Sequence, residues 1–144
     1  MNTVCVPSTE GAFSKSIKIP NRKQNRRAEG KSGETFAELF LVRDGYSVLC
    51  RNYTAPHGEI DIIATKENYI CFIEVKTRSV SSGESAAAAV DSVKLSRIQS
   101  AIEFFLEEYR DNIYVSSLTP RIDIMEIYTS KGVVKRHNHI TGIS

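Results

Sequence analysis

Several hallmarks of common protein classes are scarce or missing in this 144-residue sequence. It has only three cysteines, Cys5, Cys50 and Cys71, which are too far apart for a C-x-x-C metal or redox motif. We therefore expect reduced thiols in a cytoplasmic protein. No apolar run approaches the roughly 20 residues of a membrane helix, and the N-terminus lacks an apolar secretory segment. A glycine-rich phosphate loop is also missing, which disfavours a hydrolase of small phosphate esters.

The charge is distributed unevenly along the chain. Residues 1–32 hold seven basic and two acidic side chains, a net charge of +5, whereas residues 33–144 hold 12 basic and 15 acidic side chains, a net charge of −3. The first 32 residues also lack apolar periodicity, so we expect them to form a basic arm that is disordered in isolation. Its cluster Arg22, Lys23, Arg26 and Arg27 either binds nucleic-acid phosphates by counterion release or is a solvated tail.

The remaining residues, 33–144, are expected to form one α/β domain with a mixed sheet flanked by helices. Ser32 is the predicted N-cap of the first helix, with Glu34 in its first turn and Gly45 at its end. The apolar pattern then predicts the order α-β-β-β-α-β-β. The predicted strands are 46–53, 59–65, 69–77, 121–128 and 133–140, and the second helix is 91–110.

Two carboxylates on neighbouring strands form the most informative feature. If the turn between the second and third strands closes on Glu67 and Asn68, residues that pair across the hairpin have numbers summing to 135. Asp61 then lies opposite Glu74, with Cβ atoms about 5 Å apart. A register slip of one residue would put the two side chains on opposite faces, so the prediction depends on this turn.

Such a pair repels strongly in a partly dry site unless one carboxyl is protonated or a cation lies between them. Mg²⁺ suits this environment because it accepts one or two carboxylates and completes its shell with water and phosphate oxygens. Two residues on the predicted helices, Glu34 and Lys94, are also expected to face this anionic site. Glu34 lies at the edge of the packing stripe of its helix, and Lys94 aligns with packed residues in a first turn, where the helix dipole disfavours a cation.

These residues belong to motifs that resemble the YraN family of small bacterial proteins. The family is generally described as uncharacterised or as candidate endonucleases, and it is similar to archaeal Holliday-junction resolvases and other restriction-endonuclease-like folds. The resemblance covers about residues 33–128. It is carried by Gly33-Glu34-x-x-Ala37, Gly45-Tyr46, Arg51-Asn52-Tyr53, Gly58-Glu59-Ile60-Asp61-Ile62-Ile63-Ala64, Phe72-Ile73-Glu74-Val75-Lys76-Thr77-Arg78, Ala89-Val90 and Lys94.

The resemblance implies a restriction-endonuclease-like fold and the nuclease pattern PD-(D/E)xK, with Mg²⁺ or Mn²⁺ as cofactor. Asp61, Glu74 and the backbone carbonyl of Val75 would ligate the metal ion, and Glu34 would support it directly or through water. Lys76 would orient the attacking water or stabilise the oxyanion. These assignments make Glu34, Asp61, Glu74 and Lys76 the expected catalytic residues.

The expected partner is nucleic acid, with DNA favoured over RNA. Arg78, Lys94 and Arg97 are candidates for phosphate contact, although lysines and arginines at such positions are mostly solvated. Because the domain itself is acidic, DNA binding would need the basic arm or a dimer face, and cleavage of a two-fold junction would need a homodimer. The alternative function is a nucleic-acid-binding module that keeps the fold without cleaving.

Two further pairs near the C-terminus have simpler interpretations. Arg121 and Asp123 alternate on one face of a strand and are expected to form a structural ion pair. His137 and His139 have the spacing of metal ligands, but paired histidines near a C-terminus are more often exposed surface residues.

Overall fold

The computed structural model describes residues 28–80 and 92–143, and the side chains of the first segment from residue 33 onward. Within these ranges the order of elements is α-β-β-β-α-α-β-β. The elements are α1 (Ala28–Arg43), β1 (Ser47–Ala55), β2 (Gly58–Lys66), β3 (Tyr69–Ser79), α2 (Ser92–Glu108), α3 (Ile113–Ser116), β4 (Thr119–Ser130) and β5 (Val133–Ile143). Among them, no helix is both long and apolar enough to cross a membrane.

The five strands form one mixed sheet in the order β1-β2-β3-β4-β5. The neighbouring pairs are antiparallel except for β3 and β4, which run parallel. A parallel pair requires a crossover connection, and α2 and α3 lie in the chain between these two strands. The sheet and its flanking helices confirm the predicted α/β, restriction-endonuclease-like fold.

The two faces of the sheet carry separate apolar cores. One core contains Phe72 of β3 and Phe105 of α2, whose rings meet edge to face with centroids 5.6 Å apart. The other contains Ile73 of β3 and Leu41 of α1. Because residues alternate between faces along β3, this central strand is apolar on both sides, as predicted. The helices α1 and α2 therefore cover opposite faces of the same central strands.

Two predictions about the helices are wrong. The first helix begins at Ala28, so Ser32 lies inside α1 and is not its N-cap, and Glu34 lies beyond the first turn. The short helix α3 was not predicted because four residues are too few to show a helical period. Its N-terminus is nevertheless capped by a residue next to it in the sequence. The Asn112 side chain accepts a hydrogen bond from the Val115 N–H at 2.9 Å.

A buried polar network joins β4 to β5. The side chain of Asp123 is fully buried and accepts hydrogen bonds from Arg121 Nε at 2.9 Å and from the Gly142 N–H at 3.0 Å. The structure thus confirms the predicted Arg121–Asp123 pair. The prediction that His139 is an exposed surface residue is wrong, because its Nε2 lies 2.9 Å from Asp123 Oδ2. His137 is exposed, as predicted, and its ring stacks on Phe40 with centroids 3.7 Å apart.

Two of the three cysteines lie within the described residues. Cys71 is a free and buried thiol, as predicted. Cys50 is also buried, in β1. Cys5 lies outside the described residues.

Candidate active site

The candidate site lies where β2 and β3 stop pairing. Their register runs from Lys66 opposite Tyr69 to Ile62 opposite Ile73, which confirms the predicted pairing sum of 135. The next pair in this register is Asp61 and Glu74. At this point a side chain takes the place of a backbone acceptor between the two strands. Asp61 Oδ2 accepts a hydrogen bond from the Val75 N–H at 2.8 Å.

Asp61 and Glu74 form a strained electrostatic pair. The Glu74 side chain is almost fully buried, and Asp61 is partly buried beside it. Burial, followed by the charge of Glu74, raises the pKa of Asp61 to about 8, and the Val75 N–H only partly opposes this shift. At neutral pH the metal-free pair therefore favours a shared proton or an added cation.

Two lysines supply cationic charge to Glu74. Its Oε2 lies 3.1 Å from Lys94 Nζ and 3.4 Å from Lys76 Nζ. Burial lowers the pKa of Lys94, but the charge of Glu74 and a hydrogen bond to it more than compensate and leave the pKa above its ordinary value. Lys94 lies in the first turn of α2, as predicted, and its side chain faces the carboxylate pair.

Glu34 lies near this pair but is held by a different cation. Its Oε1 is 3.4 Å from Arg51, which also binds Glu38 at 3.0 Å. Burial raises the pKa of Glu34, although Arg51 and a hydrogen bond from Asn52 lower it, and the charge of Glu59 raises it further. The negative charge of Glu34 in turn contributes to the raised pKa of Asp61.

Sequence analysis gave no role to Arg51 or Asn52, although both lie in a motif of the resemblance. Glu34 and Glu38 are four residues apart on α1, and such a like-charged pair on one helix face is a signal that a cation lies nearby. Asn52 has a positive φ of 55° inside β1, a conformation that asparagine tolerates better than most residues. Arg51 and Asn52 thus place two hydrogen-bond donors beside the Glu34 carboxylate.

Two glycines let the helices approach the sheet at this site. A Cβ atom at Gly58 would overlap the backbone carbonyl of Arg97 in α2, and one at Gly33 would overlap the Thr77 hydroxyl of β3. Each glycine directly precedes an acidic residue of the site region, Glu34 or Glu59. The close contacts therefore fix the backbones that carry Glu34 and Lys94.

The other predicted contact residues are more scattered. Arg97 lies on α2 one turn after Lys94 and is exposed, and Arg78 follows Lys76 on the same face of β3. The arm residues Arg22, Lys23, Arg26 and Arg27 lie outside the described residues.

The donor set at Asp61 and Glu74 is small. Within residues 28–80 and 92–143, no group of three or more histidine, cysteine, aspartate or glutamate side chains is arranged to hold a metal ion. The site offers two carboxylates, and the chain continues directly to the carbonyl of Val75. This set fits Mg²⁺, which keeps several waters and uses one or two carboxylates. It fits a structural zinc site poorly, because such sites usually have four nitrogen or sulfur ligands.

Comparison with known proteins identifies the family. A family model described as "Uncharacterised protein family UPF0102" matches residues 33–127. A UPF0102 protein of Dictyoglomus thermophilum is 41% identical over 112 residues, which cover 74% of this chain and 87% of the relative. One from Caldanaerobacter subterraneus subsp. tengcongensis is 34% identical over 121 residues, covering 83% and 96% respectively. These names give no enzymatic activity. The chain belongs to the UPF0102 family, which is the YraN family that its motifs resemble.

Proposed function

We propose that this protein is a metal-dependent endonuclease that hydrolyses phosphodiester bonds of nucleic acid, with DNA as the first candidate substrate. The observation that carries the proposal is the pairing of Asp61 with Glu74 at the point where β2 and β3 diverge, with Lys76 3.4 Å from Glu74. A carboxylate such as Asp61, whose pKa is raised by burial and by a neighbouring carboxylate, is typical of catalytic centres.

In this proposal Asp61, Glu74 and the Val75 carbonyl hold Mg²⁺ or Mn²⁺. When bound, such an ion lowers the pKa of water and neutralises negative charge on a phosphate. Asp61 is oriented for this role by the Val75 N–H, which fixes one of its two carboxylate oxygens. Glu34 supports the ion directly or through water, and Arg51 holds the Glu34 carboxylate in position.

The lysines and arginines act on the substrate. Lys76, which is only partly exposed, orients the attacking water or stabilises negative charge on the phosphate oxygens. Lys94 faces the same site from α2, and Arg97 lies one turn further along that helix. With Arg78 at the end of β3, these side chains are the proposed phosphate contacts within the domain.

A second function, nucleic-acid binding without cleavage, is favoured by one observation. Lys94 and Lys76 already neutralise Glu74 without any metal ion. A domain of net charge −3 would then bind nucleic acid through the basic arm or through a homodimer. Deletion of residues 1–27, which leaves α1 whole, should weaken this binding and flatten its salt dependence.

Cleavage assays with matched variants test the proposal. Parent, Asp61→Asn, Glu74→Gln and Glu103→Gln proteins are incubated with Mg²⁺ or Mn²⁺ and with duplex, flapped, four-way-junction and single-stranded DNA, and with RNA. The parent should cut at least one substrate, and the first two variants should lose at least about 100-fold in rate, since they alter the metal ligands. Glu103 is exposed on α2, so its variant should cleave like the parent.

Two outcomes decide against this function. Equal cleavage by the parent and the Asp61→Asn protein would assign the activity to another site. A parent that cuts none of the substrates but binds them with an arm-dependent salt slope would instead support the binding module.

A further inference from the structure

One oxygen of the candidate metal site is shared by two ammonium groups. Lys94 Nζ lies 3.1 Å from Glu74 Oε2, which is closer than the 3.4 Å of Lys76 Nζ to the same atom. A carboxylate oxygen has about two lone pairs, so two ammonium groups leave it little capacity for another cation. A divalent ion that binds through this oxygen must therefore displace one of the lysines.

Lys94 is the lysine that can leave at lower cost. Its side chain is 40% exposed, compared with 20% for Lys76, so its ammonium is closer to water. It also extends from the first turn of α2, where the helix dipole already disfavours a cation. Lys76, in contrast, shares a strand face with Glu74 two residues away and remains beside it.

The backbone of α2 does not have to move for this exchange. The Arg97 carbonyl packs so closely on Gly58 that a methyl group would not fit between them. This contact lies one turn after Lys94 and anchors the helix to the β1–β2 hairpin. Only the flexible four-carbon side chain of Lys94 needs to rotate, and its ammonium stays at the rim of the same site.

We infer that Lys94 is an exchangeable counter-ion of the metal site. It neutralises Glu74 in the metal-free protein, and when a divalent cation binds at Asp61 and Glu74 it is released and becomes available to the substrate phosphate. This inference rests on the proposed nuclease function. It gives Lys94 two sequential partners, a carboxylate and then a phosphate, and it couples substrate binding to metal binding.

Calorimetric titration of Mn²⁺ into metal-free protein tests the exchange without any cleavage assay. Lys94→Met should bind Mn²⁺ about tenfold more tightly than the parent, because a direct competitor is removed from Glu74. Lys135→Met removes the same charge from an exposed position on β5, so its affinity should change at most about twofold. Lys94→Arg keeps a competing cation and should resemble the parent.

Acylation of lysines by an N-hydroxysuccinimide ester, followed by mass spectrometry, gives an independent measurement. Lys94 should react faster when Mn²⁺ is present, since its ammonium is then no longer bound to Glu74. Lys76 should stay slow, and exposed Lys135 on β5 provides the internal reference.

The outcomes separate this inference from the proposed function. If the parent binds Mn²⁺ through Asp61 but Lys94→Met behaves like Lys135→Met, or if Lys94 acylation is unchanged by Mn²⁺, the exchange is wrong and the nuclease proposal stands. If the parent and Asp61→Asn proteins bind Mn²⁺ equally, or neither binds it, the metal site itself is wrong and the exchange falls with it.

Discussion

Among the residues that the structure describes, two aspartates, Asp61 and Asp123, have limited access to water, and their surroundings shift their pKa values in opposite directions. Burial tends to raise the pKa of Asp123, but hydrogen bonds from His139, Arg121 and the Gly142 N–H outweigh it and hold the pKa below its ordinary value. At Asp61 burial and the charge of Glu74 act together, and one N–H from Val75 does not offset them, so the pKa rises to about 8.

The opposite pKa shifts distinguish Asp123, whose charge serves the fold, from Asp61, whose charge is suited to binding a ligand. Asp123 is fully buried, and its two oxygens are satisfied by groups within the chain. Asp61 has one oxygen bonded to a backbone donor and a like charge beside it. A carboxylate that the fold leaves under-compensated is destabilising by itself, and such strain is common where a cation or substrate binds.

The largest effect is expected at Asp123. Asp123→Asn removes the counter-charge of Arg121, whose side chain is only 19% exposed, and should lower the free energy of unfolding by about 3–5 kcal/mol. Urea denaturation at pH 7 measures this loss. Asp111→Asn is the matched control, because that side chain is 98% exposed, and it should cost less than about 0.5 kcal/mol.

The pH dependence of the same variant sharpens the comparison. Because the pKa of Asp123 is lower in the folded protein, its stabilisation is complete above the ordinary value of 3.8 and is lost as the pH falls toward the folded pKa. Asp123→Asn should therefore lose less stability than the parent between about pH 4 and pH 2. An equally steep acid loss in both proteins would contradict the stabilising role of this carboxylate.

Asp61→Asn should have a smaller effect of opposite sign. With a folded pKa of about 8, ionisation of Asp61 costs folding free energy that begins above pH 3.8, grows with pH and levels off above pH 8. The asparagine carbonyl can still accept from the Val75 N–H. The variant should therefore be more stable than the parent by about 1–3 kcal/mol at pH 8 in a chelator, with no gain at pH 4.

Urea denaturation at the two pH values measures this gain, and Mn²⁺ provides a further comparison. The ion should stabilise the parent and not the variant, because ligands that bind only the folded state raise its stability. Glu103→Gln, an exposed control, should show no pH-dependent gain. A variant that is less stable than the parent at pH 8 would place Asp61 in the same class as Asp123.

The positions of Asp61, Glu74 and Lys94 were predictable from the sequence, because they depend on local patterns of strands, turns and helices. Strand periodicity and a turn at Glu67 and Asn68 were enough to set the β2–β3 register, and hence to bring Asp61 opposite Glu74. The helical wheel likewise indicated that Lys94 faces a charged site, and its Nζ lies 3.1 Å from Glu74. The catalytic roles of these residues stay predictions.

Arg121 was predicted as the partner of Asp123, but the other groups that compensate Asp123 and Glu34 were not, because they come from tertiary packing. Arg51 meets Glu34 only after α1 packs on the sheet. His139 and Gly142 both reach Asp123 because the β4–β5 register shifts between Ile122 and Ile124, an irregularity that residue periodicity does not reveal. The sequence therefore predicted where Asp61 and Glu74 lie, but not that Arg51 holds Glu34 or that His139 and Gly142 hold Asp123.

Glu34 combines features of Asp61 and Asp123, and its substitution is expected to change the free energy of unfolding least. It has a cationic partner, as Asp123 does, yet burial still leaves its pKa raised, as at Asp61. Its pairing with Arg51 therefore adds little net stability. Glu34→Gln should change the free energy of unfolding at pH 7 by less than about 0.5 kcal/mol, because the pair is partly exposed and Arg51 keeps Glu38.

The same variant should act on Asp61 from a distance. Removing the negative charge of Glu34 lowers the pKa of Asp61, since that charge helps to raise it. A carbon-13 NMR titration of the Asp61 carboxyl measures the shift, and Glu103→Gln should leave the titration unchanged. A stability loss above about 1 kcal/mol with an unmoved Asp61 titration would mean that Glu34 is a structural partner of Arg51, as Asp123 is of Arg121, and not part of the charged site.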